Sequence, residues 1–143
     1  MDDGGAPTVL VAQSDPQVRE VLARVIEAAG LSAVRLEPSA DVAGAVGNSG
    51  AAGLVLDLGA GNLAALQAVR SGSEPAATDV RVVVIGTGPS GGRLAWQAGA
   101  DGFLARPFHA RDLQATLTDA LDLDDDGRAA RRSVGGGEHP VTA

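Results

Sequence analysis

The stretch Gly53-Leu54-Val55-Leu56-Asp57 decides the fold of this chain. Its first four residues are all apolar, with no alternation of polar and apolar side chains. Such a run is typical of a strand buried on both faces, as in the parallel sheets of α/β domains. Asp57 closes the run, so the sequence predicts a carboxylate at the carboxyl end of a central parallel strand.

Two other apolar runs also end in polar or charged residues. The run 8–12 is followed by Gln13, Ser14 and Asp15, and the run 102–105 is followed by Arg106. Sites in open α/β sheets form outside the carboxyl ends of the strands. We therefore expect these side chains to lie near Asp57, together with Thr87, which follows a fourth run.

Helical patterns separate the apolar runs. After Asp15, a good helix N-cap, and Pro16, suited to the first turn, apolar residues recur at helical spacing up to Ala29. Further strands are predicted at 33–36 and 81–85, and further helices at 39–46, 63–70, 93–98 and from 110 onward. Five strands alternating with five helices predict a doubly wound α/β domain, a five-stranded parallel sheet with helices on both faces.

Composition narrows the classes of function. The chain has 143 residues, 45% of them hydrophobic, which suits one domain, and its formal charge of −7 argues against nucleic-acid binding. It has no cysteine and two histidines, so neither a disulfide framework nor a zinc site is expected. Its N-terminus lacks an export signal, and no apolar run approaches the ~20 residues that span a bilayer. We expect a cytoplasmic protein without membrane contact.

The predicted domain covers residues 7–123. Residues 1–6 are rich in Asp and Gly and are expected to form a flexible N-terminus. Residues 124–143 carry an acidic run, three arginines and three consecutive glycines, with few large apolar side chains. We expect a disordered C-terminal tail there.

Residues 7–123 resemble the receiver domain of two-component response regulators, the CheY-like family. The resemblance is carried by Asp15-Pro16, Asp57, Ala98-Gly99-Ala100-Asp101, Phe103 and Pro107-Phe108, which follow one another in the family's order. It implies a flavodoxin-like fold with strand order 2-1-3-4-5 and a part in phosphorelay signal transduction.

The resemblance also implies roles for single residues. Asp57 stands at the phosphoacceptor position, Phe103 at the aromatic switch position, and Arg106 where the family has lysine. The hydroxyl position of the family falls on Gly86 or Thr87, and counting from Asp57 favours Thr87.

The departures concern the acidic pocket. The family's acidic pair, which with the acceptor Asp holds Mg²⁺, is replaced here by Gln13-Ser14. Mg²⁺ favours anionic oxygen ligands, so with Asp57 as the one certain carboxylate we expect weak metal binding or none, and no other cofactor. Asp15 could substitute as a ligand, but its position favours a helix cap. Arg106 keeps a positive charge in a chain without lysine. Two interpretations stay open: codon drift from lysine to arginine with the charge retained, or an altered function of this position.

These residues predict an atypical single-domain receiver. It would act by binding a protein partner, a histidine kinase or an effector, with phosphorylation of Asp57 absent or inefficient. It would have no enzymatic activity of its own, and it would be a monomer or weak homodimer.

Two alternatives stay open. The first is a conventional receiver phosphorylated at Asp57. The second is a small nucleotide- or flavin-binding protein, because Gly86-Thr87-Gly88-Pro89-Ser90-Gly91 follows an apolar run and matches G-x-G-x-x-G. That motif should open a long helix, whereas the helix predicted here is short and begins only at residue 93.

Overall fold

The computed structural model of the chain describes residues 6–37, 41–72 and 75–135. It contains one sheet of five strands in the order β2-β1-β3-β4-β5, and every neighbouring pair is parallel. The strands are β1 Thr8–Gln13, β2 Ser32–Arg35, β3 Gly53–Asp57, β4 Arg81–Gly86 and β5 Gly102–Ala105. The predicted doubly wound sheet and its strand order are confirmed.

Helices cover both faces of the sheet. They are α1 Pro16–Ala28, α2 Val42–Ser49, α3 Asn62–Arg70, α4 Pro75–Asp79, α5 Gly88–Gln97, α6 Ala110–Asp122 and α7 Asp125–Gly135, with a 3-10 turn at Gly59–Gly61. The apolar residues of α1 and α6 pack on one face, and those of α2, α3 and α5 pack on the other. Among the described helices, none is long and apolar enough to cross a membrane.

Strand β3 is the centre of the core. All five of its residues are buried. Leu54 and Leu56 pack in the α2, α3 and α5 layer, and Val55 packs in the α1 and α6 layer. Burying each of these side chains is worth about 1.5–3 kcal/mol, so β3 holds both helical layers in place.

Several element boundaries differ from the prediction. Helix α5 begins at Gly88, not at residue 93, because β4 leads into it through Thr87, its N-cap, with Pro89 in the first turn. The short helix α4 was not predicted. The helix predicted at 39–46 is described as Val42–Ser49, and its predicted start lies outside the described residues. Residues 1–5 of the predicted flexible N-terminus also lie outside them.

The predicted disordered tail is wrong for residues 124–135. Helix α7 occupies 125–135, and Arg128 is buried. Its guanidinium Nε donates to Asp101 Oδ1 at 2.8 Å. The sequence offers few large apolar side chains here, and this ion pair ties the helix to the domain. Residues 136–143 of the predicted tail lie outside the described residues.

The edge strand β2 is tied to α1 by charged side chains. Arg35 Nε donates to Glu20 Oε1 at 2.7 Å, and Arg35 Nη1 donates to Glu27 Oε2 at 3.0 Å. The hydrogen bonds from Arg35, and then Arg24, lower the pKa of Glu20 to about 2, from an ordinary value of 4.5.

This network predicts a pH-dependent contribution to stability. The pKa of Glu20 is lower in the folded state than in the unfolded state, so its contribution is complete above pH 4.5 and is lost as pH falls toward about 2. We expect Arg35→Gln to destabilise the protein at neutral pH, and the difference from wild type to vanish near pH 2. Urea unfolding of both proteins across this range measures the difference. A difference independent of pH would contradict the assignment.

Candidate functional site at the carboxyl edge of the sheet

Strand register brings the predicted site residues to one edge. Gln13 on β1 is the register partner of Asp57 on β3, and Gly86 on β4 is the partner of Ala105 on β5. Arg106 follows Ala105 directly, and its backbone N–H donates to Gly86 O at 2.9 Å. The ends of four parallel strands therefore place these residues together.

Asp57 is buried, and both of its carboxylate oxygens accept hydrogen bonds. Arg106 Nη1 donates to Oδ1 at 2.7 Å, and Arg106 Nη2 donates to Oδ2, so the guanidinium holds the carboxylate with two parallel hydrogen bonds. The Gln13 amide also donates to Oδ2. The hydrogen bonds to Asp57 raise the pKa of Arg106 above its ordinary value, which favours the charged form of its guanidinium.

The other two acidic-pocket positions make no hydrogen bond to this carboxylate. Asp15 Oδ1 accepts from the N–H groups of Gln17 at 2.8 Å and Val18 at 3.4 Å, so Asp15 caps α1 as its sequence position predicted. The Asp15 N–H in turn donates to Gln13 Oε1 at 2.9 Å, which orients the Gln13 amide nitrogen toward Asp57. Ser14 is exposed.

The side chains around Asp57 do not fit Mg²⁺, the metal that the resemblance implies. Beside Asp57, Gln13 presents an N–H donor and Arg106 a cation, where a divalent cation would need oxygen ligands. Across the described part of the chain, no group of three or more His, Cys, Asp or Glu side chains could hold a metal.

A cavity of about 460 Å³ lies beside the pair, between α3 and α5. Most of its lining is apolar, and its polar side chains are those of Asp57, Asn62, Thr87 and Arg106. The apolar lining includes Leu63, Leu66, Val84, Leu94 and Phe103. A concave, mostly apolar space with few polar groups has the general character of a binding pocket.

Phe103 lies against two glycines at this cavity. A Cβ added to Gly92 would lie 3.0 Å from its ring Cδ2, and one added to Gly86 would lie 3.3 Å from Cε1. The ring therefore occupies space that side chains at these two positions would otherwise fill. Thr87 also lines the cavity and is exposed, so both candidates for the hydroxyl position lie near Phe103.

Sequence reasoning missed Asn62. Its side chain is buried at the start of α3, where Oδ1 accepts from Leu58 N at 2.6 Å and Nδ2 donates to Ile85 O at 2.8 Å. Asn62 thus ties the loop after Asp57 to strand β4. The signal in the sequence that could have identified Asn62 is an amide residue at the start of a helix, directly after this loop.

The comparisons with solved structures confirm the fold. The chain is similar to an orphan response regulator of H. pylori at 17% identity, with a TM-score of 0.69 over 82% of this chain and 98% of that one. It is similar to a response regulator from Thermotoga maritima at 14% identity, with a TM-score of 0.69 over 82% of this chain and 99% of that one.

A third similar structure holds a metal. The receiver domain of a sensor histidine kinase from Pseudomonas aeruginosa, with a magnesium ion coordinated in its active site cleft, is 15% identical, with a TM-score of 0.69 over 83% of this chain and all of that one. No family model matches the sequence, and no curated protein matches it. The chain thus has the fold of response regulator receiver domains.

The Asp57–Arg106 pair yields a prediction about stability. Arg106→Met leaves the buried Asp57 carboxylate with the Gln13 amide as its remaining described donor, and we expect a loss of about 1–3 kcal/mol. The estimate lies below that for a fully buried pair because the Arg106 side chain is 39% exposed. Urea unfolding measures it. Adding Asp57→Asn should recover part of the loss, since a neutral amide is easier to bury, and a further loss would contradict the pairing.

The Phe103 contact yields a second prediction. In a helix, Gly→Ala alone stabilises by up to about 1 kcal/mol, and we expect the contact between the new Cβ of Gly92→Ala and the Phe103 ring to cancel or reverse that gain. Urea unfolding measures the change. In a Phe103→Ala background the same substitution should stabilise, so equal effects in both backgrounds would argue against the contact.

Proposed function

We propose that this protein is an atypical receiver-like signalling domain that acts by binding another protein, with Asp57 not phosphorylated or phosphorylated inefficiently. The observation that carries the proposal is the set of donors on Asp57. Arg106 donates hydrogen bonds to both carboxylate oxygens, and the Gln13 amide donates a second hydrogen bond to one of them.

The chemistry of phosphoryl transfer supports this proposal. An acceptor carboxylate needs a free oxygen for in-line attack, and a metal ion to neutralise charge on the transferred group. Here the attacking oxygens are engaged by hydrogen bonds, and the positions that would supply metal ligands hold an amide and a hydroxyl. Breaking the guanidinium contact would leave the Asp57 carboxylate buried without its cation, which is energetically costly.

The expected partner is a protein, a histidine kinase or an effector, because the fold is that of receiver domains and the net charge of −7 opposes a nucleic-acid surface. We propose no catalytic activity for the chain, since the described residues that line the cavity at Asp57 include no second carboxylate and no histidine as an acid or base. A cytoplasmic location and a monomeric or weakly dimeric state belong to the same proposal.

The nucleotide or flavin alternative gains one feature from the structure. Strand β4 passes through Gly86 and Thr87 directly into α5, the strand-to-helix passage that the glycine fingerprint requires. Arg106 still stands where that fingerprint expects an acid. Purified protein that is coloured, or whose melting temperature rises with nucleotide or flavin, would favour this alternative over the signalling proposal.

Acetyl phosphate tests the proposal on the intact protein. With acetyl phosphate and Mg²⁺, we expect no phosphorylated species by intact-mass spectrometry under conditions that label a conventional receiver. A phosphorylated species that disappears in Asp57→Asn would show a working phosphoacceptor and would refute the proposal.

A gain of reactivity provides the complementary test. We expect Gln13→Asp and Ser14→Asp, combined with Arg106→Lys, to restore labelling, because they supply metal ligands and replace the two-point guanidinium contact with a point charge. The same triple variant with Asp57→Asn is the matched control and should stay unlabelled. Failure of the folded triple variant to label would show that these three residues are not what prevents the reaction.

A further inference from the structure

Helix α7 buries few side chains among those that the structure describes. Among its residues whose side chains are described, Arg128 is the one that is buried, and Asp125, Asp126, Ala129, Ala130 and Ser133 are exposed. The helix has 11 residues, two of them glycine. Isolated helices of this length are marginal in water, and interior glycine lowers their stability further. The order of α7 therefore depends on its contacts with the domain.

The main described contact is the ion pair between Arg128 and Asp101. Arg128 Nε lies 2.8 Å from Asp101 Oδ1, and Nη2 lies 3.4 Å from Oδ2. The Arg128 side chain is 6% exposed and that of Asp101 is 0% exposed. Water screens such a pair little, so losing Arg128 removes a strong attachment of α7.

Asp101 has further partners that do not involve α7. Arg70 Nη2 on α3 donates to Asp101 Oδ2 at 2.8 Å, and the Val82 N–H on β4 donates to the same oxygen at 2.9 Å. Asp101 therefore depends less on Arg128 than α7 does. Without Arg128, Asp101 still has a cation and a backbone donor, whereas α7 loses its buried anchor.

Helix α7 packs against α5, and α5 also forms one wall of the Asp57 cavity. Leu94 and Ala95 of α5 line that cavity, and Gly92 lies against the Phe103 ring. Helix α5 therefore contacts α7 and also contributes residues to the wall of the Asp57 cavity. Because α5 makes both contacts, a restraint that α7 places on α5 also acts on the wall of the cavity.

We propose that α7 is a detachable helix, anchored by Arg128 to Asp101, whose docking restrains α5 and with it the wall of the Asp57 cavity. Detachment leaves the five-stranded domain folded and gives α5 greater freedom. The device does not depend on whether Asp57 is phosphorylated, so it stands apart from the proposed function.

Hydrogen exchange on full-length Arg128→Gln tests the device. We expect α7 amides to exchange about tenfold faster or more, α5 amides to exchange measurably faster, and β1 and β3 amides to keep wild-type protection. Arg111→Gln is the matched control, because it removes the same charge from an exposed position on α6. It should leave α5 and α7 unchanged.

Three results would overturn the proposal. Unchanged protection of α7 would show that Arg128 is not its anchor. Faster exchange in α7 with α5 unchanged would show that α7 does not restrain α5. Loss of protection in β1 and β3 as well would show that the helix is an integral part of the core, not a detachable element. Emission of Trp96, the single tryptophan and a residue of α5, gives an independent readout of the same change.

Discussion

The hydrogen bonds between Arg106 and Asp57 are the interaction on which the site depends. They join the ends of β3 and β5, which are not neighbours in the sheet, across the end of β4. Asp57 is buried at the end of the most buried strand, and a carboxylate there is costly unless a cation accompanies it. In this chain the cation is a side chain, with the Gln13 amide as an additional donor.

A cation supplied by the chain differs from one taken from solution. A metal ion can leave and return, and its binding can be linked to a reaction at the carboxylate. A guanidinium held by two parallel hydrogen bonds is fixed in geometry and keeps its charge at every physiological pH. A site built in this way favours one arrangement of the strand ends, which accords with the proposed role of binding a partner through a constant surface.

The fold could be predicted because its signals are local and repeated. The uninterrupted apolar run before Asp57 and the Asp15-Pro16 helix start were sufficient to predict parallel strands and α1. The sequence also predicted that Asp57 and Arg106 would converge, since both follow strands. It could not predict the α7 contact, because the attachment of Arg128 to Asp101 is a pairing between distant residues with no periodic pattern. Nor could it identify Asn62, whose role depends on the positions of Leu58 and Ile85.

The most direct test of the central claim is an NMR titration of the intact protein with Mg²⁺ at millimolar concentrations, following the Arg106 Nη–H and Asp57 amide signals. If the guanidinium holds both oxygens of Asp57, neither signal shifts, and the Arg106 Nη–H groups stay in their hydrogen-bonded environment. A saturable shift of both signals, with the Arg106 signal moving toward that of a solvent-exposed guanidinium, would contradict the claim.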